Sequence, residues 1–162
     1  MPATIVLLAC TGTNAATETE VTGITMRAND SAVNDTANPI VIPSASLNRS
    51  YEKWLRWKCT GAPSNQVTNF KYWGPGSVPA TGTILYDGTT ASGATPVASD
   101  SATAVTQQDT NHYSSGTALT VGGTLININD KSNFLVLQLD VASTASPGSI
   151  SQQTHNYSYD ET

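Results

Sequence analysis

No stretch of this 162-residue chain sustains the 3.6-residue apolar period of a long helix. Short runs rich in β-branched and aromatic residues instead alternate with clusters of Gly, Pro, Asn and Ser from end to end. A chain patterned this way buries its apolar surface by stacking short antiparallel strands into sheets. The pattern places strands at Thr4–Thr11, Glu20–Arg27, Pro39–Ile42, Ser50–Thr60, Gln66–Trp73, Thr83–Asp87, Thr117–Val121, Thr124–Ile128, Asn133–Ala142 and Ser149–Tyr159. The length falls in the one-domain range. The expected fold is therefore a single all-β domain over residues 1–162, an antiparallel β-sandwich of jelly-roll or immunoglobulin-like kind, with long loops near 29–43 and 88–116.

Two strands say most about the layers. Along Ser50–Thr60, alternation puts Tyr51, Lys53, Leu55, Trp57 and Cys59 on one face and Glu52, Trp54, Arg56, Lys58 and Thr60 on the other, one face mostly apolar and the other mostly charged. Along Asn133–Ala142, Leu135, Leu137, Leu139 and Val141 oppose Phe134, Val136, Gln138 and Asp140, the pattern of a central strand covered on both sides.

Charge excludes several function classes. Only 12% of the residues are charged, about half the share usual in soluble domains, so the surface is hydroxylated rather than ionic. Seven Lys and Arg against twelve Asp and Glu give a net charge of −5, too few cations for a phosphate-neutralising stripe, and an acidic surface gains nothing from an anionic bilayer. Neither nucleic acid nor membrane is an expected partner. The run Ile5–Cys10 ends like a lipoprotein signal but lacks the positive flank, and it reads as a buried strand.

Nothing in the sequence assembles a reactive centre. The histidines are His112 and His155, and neither follows a nucleophile elbow; His155 reads as a sheet-face residue. The groups Asp109, Asn111, His112 and Asn127, Asn129, Asp130, Asn133 carry oxygen ligands but lack the terminal bidentate Glu of a calcium loop, so they read as Asx-rich turns. Gly122 and Gly123 read as a hairpin or bulge, and the sequons at Asn29, Asn34, Asn48 and Asn156 follow from composition. Cys10 and Cys59 read as two buried thiols; were they paired, the closed loop would contribute about 4 kcal/mol. The expectation is no catalytic residue, no metal and no cofactor.

The candidate residues are therefore those suited to protein contact: Trp54, Arg56, Tyr72, Trp73, Tyr157 and Tyr159. Exposed aromatics anchor an interface or stack on sugar rings; buried ones fill the core of the sandwich. For Trp54, flanked on its face by charges, an interface and packing beneath a loop are both open.

The opening MPATIVLLACTG, the hydroxylated strands and the ending SPGSISQQTHNYSYDET resemble accessory structural proteins of tailed-bacteriophage virions, in particular small all-β capsid cement, or decoration, proteins. The resemblance implies a β-sandwich or related barrel seated on the outside of the capsid and assembled in the host cytoplasm. Its partners would be the major capsid protein or other virion proteins, and it would act as a dimer or trimer. A tail, neck or fibre-attachment protein of the virion shares these traits. A secreted carbohydrate-binding or adhesion module shares the fold but requires exposed Trp54, Tyr72 or Trp73. An enzyme is the third choice: a retaining glycosidase would need two carboxylates roughly 5 Å apart, and the scattered acids show no such pair by sequence.

Overall fold

The computed structural model describes residues 2–33, 36–77, 79–98, 108–109 and 114–162. Ten strands follow one another among these: β1 (Thr4–Thr11), β2 (Thr17–Glu20), β3 (Leu47–Arg49), β4 (Lys53–Gly61), β5 (Val67–Trp73), β6 (Thr83–Thr90), β7 (Gln108–Asp109), β8 (Leu119–Thr120), β9 (Phe134–Ala142) and β10 (Asn156–Glu161). A single 3-10 turn, Thr13–Ala15, joins β1 to β2. The larger sheet runs β2-β1-β4-β9-β6-β7 with β3 also beside β9, and the smaller sheet runs β10-β5-β8. Every ladder is antiparallel, and the two sheets pack as an all-β sandwich.

Strand β9 lies in the middle of the larger sheet, and eight of its nine residues are buried, as its two apolar faces require. Its inner residues Leu135, Leu137, Leu139 and Val141 join Leu55, Trp57 and Cys59 of β4 and Phe70 and Tyr72 of β5 in the main core between the sheets. Trp57 stacks on Phe70 at 5.7 Å between centroids and meets Tyr157 at 5.3 Å, which ties the sheets together across that core.

Three strands cannot cover seven, and irregular chain makes up the difference. Strand β2 ends at Glu20, so the expected strand Glu20–Arg27 does not form, nor does Pro39–Ile42; Val21, Ile24, Met26, Ile40 and Ile42 instead pack against the main core as loop. The buried Lys53 reaches up from β4 and donates from Nζ to the carbonyls of Asn29 (3.3 Å) and Ser31 (2.9 Å), pinning this cover in place. Ser149–Tyr159 is strand only from Asn156 on. Thr124–Ile128 contributes a single bridge, Val67 to Leu125. At Gly123 (φ 95°) a side chain would begin 2.7 Å from the Ser132 Cα, so this glycine lets one backbone pass close to another, rather than turning a hairpin.

The outer face of the larger sheet corrects the charged reading of β4. Leu8, Cys10, Ala15, Trp54, Phe134 and Val136 form a second core there. The chain after β6 roofs it: the Val97 carbonyl accepts from the backbone N–H of Glu52 (2.9 Å) and from Gln138 Nε2 (3.3 Å), and Ala94 packs beneath. Cys10 stands opposite Trp54 and Cys59 opposite Ile5. Five residues of β1 therefore separate the thiols, about 17 Å along the strand, and they face opposite cores. Both are free, as the buried-thiol reading expected.

Candidate functional site

The six residues singled out from the sequence do not form one surface. Trp54 is 1% exposed, its Nε1 donating to Glu52 Oε2 at 2.9 Å and its ring edge-on to Phe134 at 5.3 Å. Tyr72 is buried on the opposite side of the larger sheet, in the main core. Neither offers contact area to a partner, because the roof over the second core seals Trp54 and Tyr72 faces the core between the two sheets. Arg56 is half-buried: its guanidinium lies 4.6 Å over the Phe134 ring and pairs with Glu18, whose carboxylate also accepts from Lys131 Nζ at 2.8 Å. Burial works against the Glu18 carboxylate, yet the hydrogen bonds from Lys131 and Arg56 hold it below the usual range. The neighbouring Cys10 thiol is pushed up to about 11, mainly by burial, so it stays protonated and a poor nucleophile. Trp73 is half-buried at the end of β5, Tyr159 is half-buried, and Tyr157 is 47% exposed.

Tyr72 and His155 form the nearest approach to a chemical site. The phenol oxygen lies 2.6 Å from His155 Nδ1, and the rings stack at 5.7 Å and 4°. Burial raises the Tyr72 phenol well above its ordinary value, with the charge of Asp87 adding to it, and burial lowers the His155 imidazole. Both shifts favour the neutral forms, so the pair is a neutral hydrogen bond tying the entrance of β10 to β5. Among the described residues no hydroxyl or thiol other than the Tyr72 phenol bonds this imidazole, and no group of three His, Cys, Asp or Glu is placed to hold a metal. His112 and Asn111 lie outside the described residues, as do Asn34 and its sequon. Two surface grooves, of about 430 Å³ beside β2 and about 310 Å³ between β3 and β6, lie away from His155.

The Asx-rich stretch after Leu125 is a turn, as read, and its carboxylate is already used. Asp130 Oδ2 accepts from the backbone N–H of Ile126 and of Asn127, each at 2.8 Å, and the Asn127 and Ile126 bonds lower its pKa. Asn129 takes the left-handed conformation (φ 76°) and donates from N–H to the Cys59 carbonyl at 2.8 Å, while Cys59 N–H returns a bond to Asp130 at 3.0 Å. This loop is therefore rigid and fixed to β4. It carries Ile126 and Ile128 at 54% and 55% exposure; Val33 and Val41 are more exposed still, at 61% and 69%, but the two isoleucines sit two residues apart on a loop whose backbone is held by Asp130 and β4. The chain ends meet nearby. Glu161 accepts from the backbone N–H of Ala3 at 2.9 and 3.0 Å and of Ser64 at 3.4 Å, and Val67, beside Glu161 in the sheet, bridges to Leu125.

Sequence reasoning missed Ile126 and Ile128 because their alternation with Asn127 and Asn129 reads as a strand with its isoleucines turned inward. The available signal was the density of Asn and Asp, which lets side chains cap the backbone in place of a neighbouring strand. Comparison of the chain with protein-family models, with curated proteins and with solved structures finds no match.

Proposed function

We propose that this protein is a non-enzymatic structural protein that docks on other proteins, and that its setting is the outer surface of a phage capsid, where it reinforces contacts between coat subunits as a dimer or trimer. The observation that carries the docking reading is the pair Ile126 and Ile128, held out on a loop whose backbone is already satisfied. Exposed apolar side chains on a preorganised loop lose little entropy when a partner covers them. A few such contacts per copy, repeated across a lattice, sum through multivalency without any single strong site. The capsid setting comes from the resemblance in sequence texture described above. Against the carbohydrate-binding alternative, Trp54 and Tyr72 are buried, which leaves the half-buried Trp73 without a second platform.

Sedimentation tests the reading. Purified protein is mixed with expanded shells and with unexpanded precursor shells that lack it, and with isolated tails. The proposal expects the protein to pellet with expanded shells and I126N/I128N to stay in the supernatant. Failure to bind either form of shell contradicts cementing, and pelleting with tails alone moves the protein to the tail, neck or fibre-attachment alternative.

A further inference from the structure

Among the described residues strand β10 has one neighbour, β5, and no strand pairs its other edge. Which residues present their backbone there follows from the hydrogen bonds. Thr162 and Gln66 exchange two bonds, N–H to carbonyl in both directions at 3.0 Å, so Thr162 faces β5. Val67 and Leu125 exchange two bonds on the far side of β5, at 2.8 and 2.9 Å, which confirms the alternation. Backbone groups alternate sides along a strand. Asn156, Ser158 and Asp160 therefore point at β5, and Tyr157, Tyr159 and Glu161 point at the open edge. The bulge opposite Tyr159 lies in β5, at Asn69 (φ 57°), and leaves the alternation of β10 unchanged.

We propose that the open edge of β10 pairs with β10 of a second copy about a two-fold axis at Ser158, so that Tyr157 of each copy stands opposite Tyr159 of the other. This goes beyond the docking reading, since it needs no shell and holds for the protein alone in solution. Antiparallel pairing requires outward-pointing residues to face each other, which excludes axes midway between residues. Axes at Asp160 or Glu161 set identical carboxylates directly opposite each other, where like charges repel, which leaves those at Tyr157, Ser158 and Tyr159. An axis at Tyr159 brings the two Asp160 side chains onto one diagonal, about 7–8 Å apart, where like charges repel. An axis at Tyr157 pairs Tyr159 with His155, outside the strand. The axis at Ser158 keeps Asn156 to Asp160 wholly within the strand, sets Asp160 opposite the amide of Asn156, and gives two tyrosine pairs on one face. Those pairs extend the stack of Tyr157 and Tyr159, now 6.4 Å apart, across the axis, and cover the exposed part of Tyr157. Parallel pairing would set Asp160 against Asp160 and is disfavoured.

One strand pair makes a small interface, at the transient end of the range. Association is therefore expected at high concentration, or where copies are held side by side.

Cysteine cross-linking of the full chain reads the register directly. Across the axis the two Ser158 Cα atoms of a non-hydrogen-bonded pair would lie about 4.5 Å apart, within disulfide range. Ser158 is exposed, and the native thiols are buried. Under mild oxidation S158C should form a covalent dimer at least tenfold faster than N156C or D160C alone, while N156C mixed with D160C should link. Sedimentation equilibrium of the unmodified protein should show a reversible monomer–dimer equilibrium. A rate for S158C no higher than that for N156C, a trimer, or a monomer at every concentration would overturn the proposal while leaving shell binding untouched.

Discussion

Replacing Tyr72 by Phe tests whether the tyrosine–histidine pair is structural. The substitution removes one oxygen, 2.6 Å from His155 Nδ1, from a residue that is 3% exposed. Orphaning a buried hydrogen-bonding group costs about 1–3 kcal/mol. Because His155 is half-buried, water relieves part of this, which places the expected loss near the lower end, about 1–1.5 kcal/mol. In a domain of this size each kcal/mol lowers the melting temperature by roughly 2–4 °C. Urea denaturation and calorimetry at pH 7.5 measure both numbers. Y72F/H155L removes both partners and should be less destabilised than the sum of the singles, with a coupling of about 0.5–1.5 kcal/mol. The pH dependence supplies an independent check. Folding lowers the His155 pKa, so between that value and about 6.5 the unfolded chain binds a proton that the native protein does not. Stability should therefore fall as pH drops below about 6.5 and level off beneath the folded pKa. The wild-type slope minus that of H155L isolates this histidine. A strictly additive double mutant, or a difference slope of zero, would refute the account of the pair.

Three further predictions concern the cores. The thiols of Cys10 and Cys59 should be unreactive toward a disulfide reagent at pH 8 in the native protein and give two equivalents on denaturation, with no internal disulfide on oxidation. Lys53→Met keeps the stem and removes the ammonium that holds the Asn29 and Ser31 carbonyls. It should cost about 1–3 kcal/mol and speed limited proteolysis within residues 21–42. Glu18→Gln removes the carboxylate shared by Arg56 and Lys131. Since folding lowers the Glu18 pKa, wild type should hold an advantage of up to about 1 kcal/mol above pH 5 and lose it as pH falls through the folded value, a difference read by acid denaturation.

The parts of the fold legible in the sequence were those where burial and hydrogen bonding coincide. Strand β1 spans Thr4–Thr11 as read, and β9 is central because both its faces are apolar. Where the two come apart, the pattern misleads. Ile24, Ile40 and Ile42 are apolar because they cover a core, yet they belong to no strand, and Val21 adds only one bond, from its N–H to the Leu7 carbonyl of β1 at 3.0 Å. Glu52, Trp54 and Arg56 read as a mostly charged face, with Trp54 open between an interface and packing beneath a loop, and the loop proves to be the cover. The sequence could not decide because the residues that roof them lie some forty positions away: Val97 with Glu52 and Gln138, and Thr95, whose Oγ1 accepts from the backbone N–H of Asn14. A strand's own alternation carries no record of such a visitor. The candidate site suffered more. Aromatic character marked Trp54 and Tyr72, which are core, while Tyr157 alone of the six is exposed, and the exposed Ile126 and Ile128 were masked by an alternation that mimics a strand.

The central claim is that this molecule acts through the surface carrying Ile126 and Ile128, lying against a protein lattice as a rigid pleated body. An electron cryomicroscopy reconstruction of expanded shells saturated with the protein measures this directly. The account predicts a β-sandwich on the outer surface with the loop of Ile126 and Ile128 buried against coat subunits. Shells without added density, or bound protein turning that loop to solvent, would contradict it.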